Sequence, residues 1–168
     1  DKERLALYVG MIEDIFATVF RQTAMYRFEH DLHEAVRKGG EQSVEAINAL
    51  WRKRTVQMFG NSMTITHGYD LWWSYISHIF DRPFYVYAYA FGELLTLSLF
   101  AKYQKEGQKM LTPYRDLLTA GGSVAPDVLC KRLGFDLHDP AFWEQGMQVV
   151  SDLMSEVKTI HRRLITSR

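Results

Sequence analysis

Glu29, His30, His33 and Glu34 put four side chains able to ligate a metal into one short stretch, EHDLHE. His30 and His33 stand three apart, so on a helix both could reach one ion from a single face. Their order is HxxHE, however, whereas zinc hydrolases carry HExxH, with histidines four apart and the glutamate between them. Without that spacing the stretch reads as a solvated helix face, and a metal site at Glu29, His30 and His33 is the weaker alternative. A second group lies downstream, where His78 precedes Tyr85, Tyr87 and Tyr89 in HIFDRPFYVYAYAFGELLTLSLF, residues His78 to Phe100. On a helix Tyr85 and Tyr89 share a face one turn apart, and Tyr87 points elsewhere. A phenol has an apolar body and a polar tip, so periodicity alone favours core filling with satisfied hydroxyls.

The elements that must position these groups follow from proline, glycine and hydrophobic spacing. Pro83 fits the first position of a helix, because its φ is already helical and its missing N–H is not needed there. A helix from Pro83 would be ringed by Phe84, Val86, Ala88, Phe91, Leu94, Leu95, Leu97, Leu99 and Phe100, with no polar stripe. Such a helix is expected to be buried on all sides, with His78 in the loop before it. Three tyrosine hydroxyls, Gly92, Glu93, Thr96 and Ser98 argue against lipid, where every polar group needs a partner. Upstream, Leu5, Tyr8, Ile12, Phe16, Val19, Phe20 and Tyr26 recur at three and four, predicting a long amphipathic helix from Lys2 to about Val36 that a kink could interrupt. Ser43 caps a second helix that Gly60 and Asn61 end. Asn61 to Asp70 reads as loop, and in Leu71 to His78 one helical face would carry Trp72, Tyr75 and Ile76. Later helices open near Pro113, Pro126 and Pro140, the first two closed by Gly121 and Gly134 and the last running to about Leu164. No segment reads as a strand. The expectation is an all-α fold of four longer helices and several short ones.

Composition narrows the function. At 168 residues the chain is long enough for one domain with a real core. Twenty acidic residues balance twenty basic ones, which leaves no electrostatic footprint for nucleic acid or an anionic membrane. Cys130 is the sole cysteine, so no internal disulfide can form, which suits a reducing, cytoplasmic setting. The chain opens at Asp1 without methionine or signal peptide and enters a helical pattern at once, which suggests a piece of a longer protein.

Three stretches then point further. FRQTAMYRFE at Phe20–Glu29, HGYDLWWSYISHIFDRPFYVYAYAFGELL from His67 and TAGGSVAPDVLCKRLGFDLHDPAFW from Thr119 resemble, in this order, the C-terminal part of the oligoendopeptidase F family. These are zinc metallopeptidases related to thimet oligopeptidase, and PFYVYAYAFG is the most specific piece. The resemblance implies a multi-helix part of a zincin-like, channel-containing helical peptidase domain. It implies zinc held by the two HExxH histidines and a downstream glutamate, with the motif's glutamate as general base. It further implies that a histidine and tyrosines of the segment matching His78–Tyr89 bind substrate and stabilise the oxyanion. A hydroxyl suits this task, since it donates to a growing negative charge while itself uncharged.

Carried over by position, His78 matches the family histidine before the tyrosine segment. Tyr89, four residues ahead of Glu93, is the best match to the hydroxyl donor, and Tyr85 is next. His78, Tyr85 and Tyr89 are thus the expected catalytic residues, and Tyr87 joins them as substrate-binding. Relatives often carry a tyrosine in the loop where Phe80, Asp81 and Arg82 stand here, which departs from the pattern. No HExxH occurs from Asp1 to Arg168. In the family that motif lies upstream, so residues 1–168 are expected to be a single helical fragment, the C-terminal half of a catalytic domain, inactive alone. Zinc would belong to the full-length parent and not to this fragment. Expected partners are oligopeptide substrates, the missing N-terminal part of the same chain and further copies meeting through exposed apolar surface. The alternative is a non-catalytic helical module that binds peptides or proteins, in which the tyrosines are only core.

Overall fold

A computed structural model describes residues 1–166, and among them the backbone is helical with no strand. The chain forms two compact units, one of Ile15–Phe91 and one of Asp1–Asp14 with the residues from Gly92 onward.

In the unit Ile15–Phe91, a π-helical turn at Phe16–Arg21 leads into helix α2, Gln22–Gly39, followed by α3, Val44–Phe59. The expected interruption of the first long helix is thus a wide turn, although FATVFR contains neither proline nor glycine. Ser43 is the expected cap: its backbone is extended and its Oγ accepts the Ala46 N–H at 3.2 Å. Gly60 closes α3 at φ 55°, a left-handed conformation that suits a residue without Cβ. The core holds Phe28, Trp51, Ile76 and Ile79, with Met25, Leu32, Ile47, Leu50, Tyr69 and Trp73 against them. Each such side chain, once buried, contributes about 1.5–3 kcal/mol. Trp51 is buried and Trp73 half-buried, and both satisfy their N–H, Trp51 to the Tyr69 carbonyl at 2.9 Å and Trp73 to Asn48 Oδ1 at 2.7 Å.

Two expectations fail in the aromatic stretch. His67–Tyr75 is a 3₁₀ helix, so the loop reading holds only up to Thr66. At three residues per turn Trp73 and Ile76 point inward together, while Trp72 and Tyr75 point out, Tyr75 being 82% exposed. The face assigned from α-helical spacing was the wrong one for this backbone. His78 then sits not in a loop but in a short helix, α4, Ser77–Asp81.

The next helix, α5, is Tyr87–Glu106, so it starts four residues after Pro83. Phe84 prevents an earlier start because its φ is 59°, and one left-handed residue breaks a right-handed helix. Turn hydrogen bonds from Tyr85 N to Arg82 O and from Ala88 N to Tyr85 O carry the chain through the gap at 3.2 and 3.0 Å.

In the other unit, α1, Lys2–Ile15 up to Asp14, accompanies α5 from Gly92, α6, Leu111–Ala120, α7, Pro126–Arg132, and α8, Pro140–Thr166. Pro126 stands at the first position of α7, as the sequence implied, and Asp139 Oδ1 accepts the Ala141 N–H at 3.0 Å. Leu99, Met110, Cys130, Leu133, Phe135 and Phe142 form the core. Gly146 of α8 lies so close to α5 that an added Cβ would come within 2.9 Å of the Leu94 carbonyl oxygen and of Ser98 Oγ. Ser98, fully buried, donates to the Phe142 carbonyl at 3.0 Å.

The expectation that α5 is buried on all sides is not met. Ala90, Ser98 and Leu99 are buried, but Tyr87, Tyr89, Phe100 and Tyr103 are exposed, because the described residues cover only part of its circumference. No helix among the described residues is long and apolar enough to cross a membrane.

Candidate functional site

His78, Tyr85 and Tyr89 come together, and three different local structures bring them there. α4 carries His78, the irregular stretch after Phe84 carries Tyr85, and the first turn of α5 carries Tyr89. The Tyr89 hydroxyl lies 3.2 Å from His78 Nε2, a hydrogen bond whose donor depends on the histidine tautomer. The Tyr85 ring stacks on His78 with centroids 6.0 Å apart and planes 5° from parallel. Tyr89 stands edge-on to both, at 6.0 Å from His78 and 5.6 Å from Tyr85. The two tyrosines remain 42% and 37% exposed, so the cluster faces solvent and is not core filling. Tyr87 stands apart from it, edge-on to Tyr26 of α2 at 6.2 Å.

α2 packs against Phe84, the residue before Tyr85. Tyr26, Glu29 and His33 fall at spacings of three and four and share one face. Glu29 is 0% exposed, and its Oε1 accepts the Phe84 N–H at 2.7 Å. The Phe84 ring lies 4.6 Å from the His33 ring and 6.4 Å from the Tyr26 ring, measured between centroids. A left-handed non-glycine residue costs about 1–3 kcal/mol and persists where its surroundings over-determine it. Here a buried carboxyl and two rings surround Phe84. An imidazole paired with a hydroxyl, beside a second exposed hydroxyl, can donate hydrogen bonds to a carbonyl oxygen as it gains negative charge.

A family model described as Peptidase family M3 matches residues 1–149 of this chain. The chain belongs to peptidase family M3. Among relatives of this M3 chain, Oligopeptidase PepF of Bacillus subtilis (strain 168) is 31% identical over 160 residues, spanning 95% of this chain and 24% of that protein. An Oligoendopeptidase F homolog of Borreliella burgdorferi is 29% identical over 149 residues, spanning 89% of this chain and 25% of that one. The crystal structure of oligoendopeptidase-F from Enterococcus faecium superposes with a TM-score of 0.88 at 26% identity, over 95% of this chain and 30% of that chain. The M3 chain therefore spans about a quarter of the length of the curated relatives it matches. Its all-helical architecture is that of the oligoendopeptidase F fold.

The stretch first tested for metal does not behave as a solvated face. Glu29 is buried and occupied with Phe84, His33 Nε2 is 3.9 Å from Glu29 Oε1, and His30 is exposed. Among the described residues no group of three or more His, Cys, Asp or Glu side chains stands close enough to hold a metal ion. The resemblance assigns zinc to an HExxH motif that residues 1–168 do not contain. Glu29 is the residue that sequence reasoning missed as part of this neighbourhood. Its signal was faint: an acidic residue directly after Phe28, on a helix whose apolar stripe runs through Met25, Phe28 and Leu32.

Proposed function

We propose that this chain is the C-terminal part of a zinc-dependent oligoendopeptidase acting on short peptides, and that His78, Tyr85 and Tyr89 form the wall that binds substrate and stabilises the oxyanion. In this reading Tyr89 is the principal donor. With Nε2–H of His78 donating to the Tyr89 oxygen, the phenolic proton is free to turn toward the substrate carbonyl, where it gains strength as charge develops. Tyr85 holds the imidazole by stacking and offers a second hydroxyl. Tyr87, on the other side of the turn, contributes to the channel wall and not to the reacting group. The zinc would sit on residues outside this chain and polarise the scissile carbonyl. The fragment alone is expected to be inactive, and the parent is expected to work in the cytoplasm.

What carries this reading is the Tyr89 to His78 hydrogen bond of 3.2 Å inside an exposed aromatic cluster of an M3 chain. The test uses the full-length protein with a short, internally quenched peptide. Tyr89→Phe and His78→Gln are each expected to lower kcat by about 10²–10³-fold, the loss typical of one oxyanion donor. Wild-type kcat in both variants would sink the assignment. Tight peptide binding without turnover by the zinc-supplied full-length protein would favour a non-catalytic interaction module.

A further inference from the structure

Glu29 presents an arrangement that the proposed chemistry does not use. Its carboxylate is completely buried, one oxygen accepts the Phe84 N–H at 2.7 Å and Oε2 has no hydrogen-bond partner. Burying a carboxyl group is costly unless it is hydrogen-bonded, and besides His33 Nε2 at 3.9 Å the Phe84 N–H is the partner its Oε1 has. The N–H it holds belongs to Phe84, whose φ is 59°. The next residue is Tyr85, whose ring lies flat on His78. Removing the acceptor would let residue 84 relax toward right-handed φ, and that change would swing Tyr85 away from His78.

We propose that Glu29 is a positioning residue of the His78–Tyr85–Tyr89 cluster, holding Phe84 in its left-handed conformation so that Tyr85 stacks on His78. It acts through the backbone of Phe84, whose N–H its Oε1 accepts. As a positioning residue for hydrolysis it rests on the peptidase reading above. The local geometry does not, and the two are tested separately.

The experiment uses the full-length protein with Glu29→Leu, which removes the acceptor, and Glu29→Gln, which keeps one. With ¹³C-labelled histidine, the His78 ring resonance is expected to move in E29L and to return close to its wild-type position in E29Q. On a quenched peptide, E29L is expected to lower kcat by about tenfold or more with KM within about twofold, and E29Q to restore kcat to within about threefold of wild type. An unmoved His78 resonance in folded E29L overturns the proposal. So does equal loss of kcat in E29L and E29Q. A moved resonance, together with wild-type kcat in Y89F and H78Q, supports the positioning and overturns the peptidase reading of the cluster. Should E29L fail to melt cooperatively, E29L/F84G decides the matter, because glycine takes positive φ without a Cβ penalty. A cooperative melt and a kcat within about threefold of F84G alone support the proposal, and an unfolded or tenfold slower double variant overturns it.

Discussion

At the scale of single residues, the chain shows how burial and partner together set a side chain's chemistry. Asp31 receives both guanidinium arms of Arg54, Nε to Oδ2 at 2.8 Å and Nη2 to Oδ1 at 2.7 Å, and Lys53 stands 3.6 Å from Oδ2. The Arg54 hydrogen bonds, opposed by partial burial and helped by the nearby charges, hold the Asp31 carboxyl below the ordinary carboxylate range. A lowered folded value means that the pair stabilises above the unfolded pKa of about 4 and that this contribution is lost as pH falls through the folded value. Asp31→Asn is therefore expected to cost about 1–3 kcal/mol near neutral pH, a gap that closes in acid. Urea unfolding of both proteins along a pH series measures this. Cys130 makes the opposite case. Burial, with the Asp127 charge behind it, pushes its thiol up, so little thiolate forms. Native protein is expected to resist alkylation at mildly alkaline pH and to react at once when unfolded, as mass spectrometry after a short iodoacetamide pulse would show.

At the scale of elements, backbone geometry outranked side-chain periodicity. The Leu71–His78 stretch has spacing that suits an α-helical face, but three residues per turn gave its inward face to Trp73 and Ile76. Pro83 was legible as a helix start and did not start one, since the next residue, Phe84, is left-handed and donates its N–H to Glu29, distant in sequence. By contrast, caps and glycine stops were readable because their causes lie within a few residues, as at Ser43, Gly60, Gly121 and Pro126. The α5 to α8 contact yields a prediction against propensity. Gly146→Ala in an exposed helix would gain about 1 kcal/mol. Here the new Cβ would meet the Leu94 carbonyl oxygen and Ser98 Oγ at 2.9 Å, so the two helices must part. A net loss of about 1–3 kcal/mol is expected, seen as a lowered thermal midpoint.

At the scale of the whole molecule, the unusual quantity is the apolar surface left open. Leu71, Trp72, Tyr75, Phe80, Tyr85 and Tyr87, all in the unit Ile15–Phe91, are exposed. Large exposed apolar side chains in one stretch of chain are the kind of surface through which proteins associate. We expect the isolated 168-residue chain to self-associate through this surface, with apparent mass rising over micromolar concentrations in sedimentation experiments. A strictly monomeric chain across that range would remove the expectation. Addition of the preceding part of the full-length protein is expected to suppress the association and to lower binding of a hydrophobic dye.

By itself the sequence determined the helical class, the positions of most caps and stops, and the family, because each is written in local spacing or in a continuous run of residues. It also named His78, Tyr85 and Tyr89 as one group. Only the tertiary structure decided how they meet. On a regular helix Tyr85 and Tyr89 would have been neighbours by periodicity, whereas here Tyr85 precedes the helix and reaches His78 through a left-handed turn. The hydrogen bond that accompanies the turn runs from Phe84 to Glu29, residues 55 positions apart. No local propensity encodes a contact of that separation, because its existence depends on α2 packing against the turn.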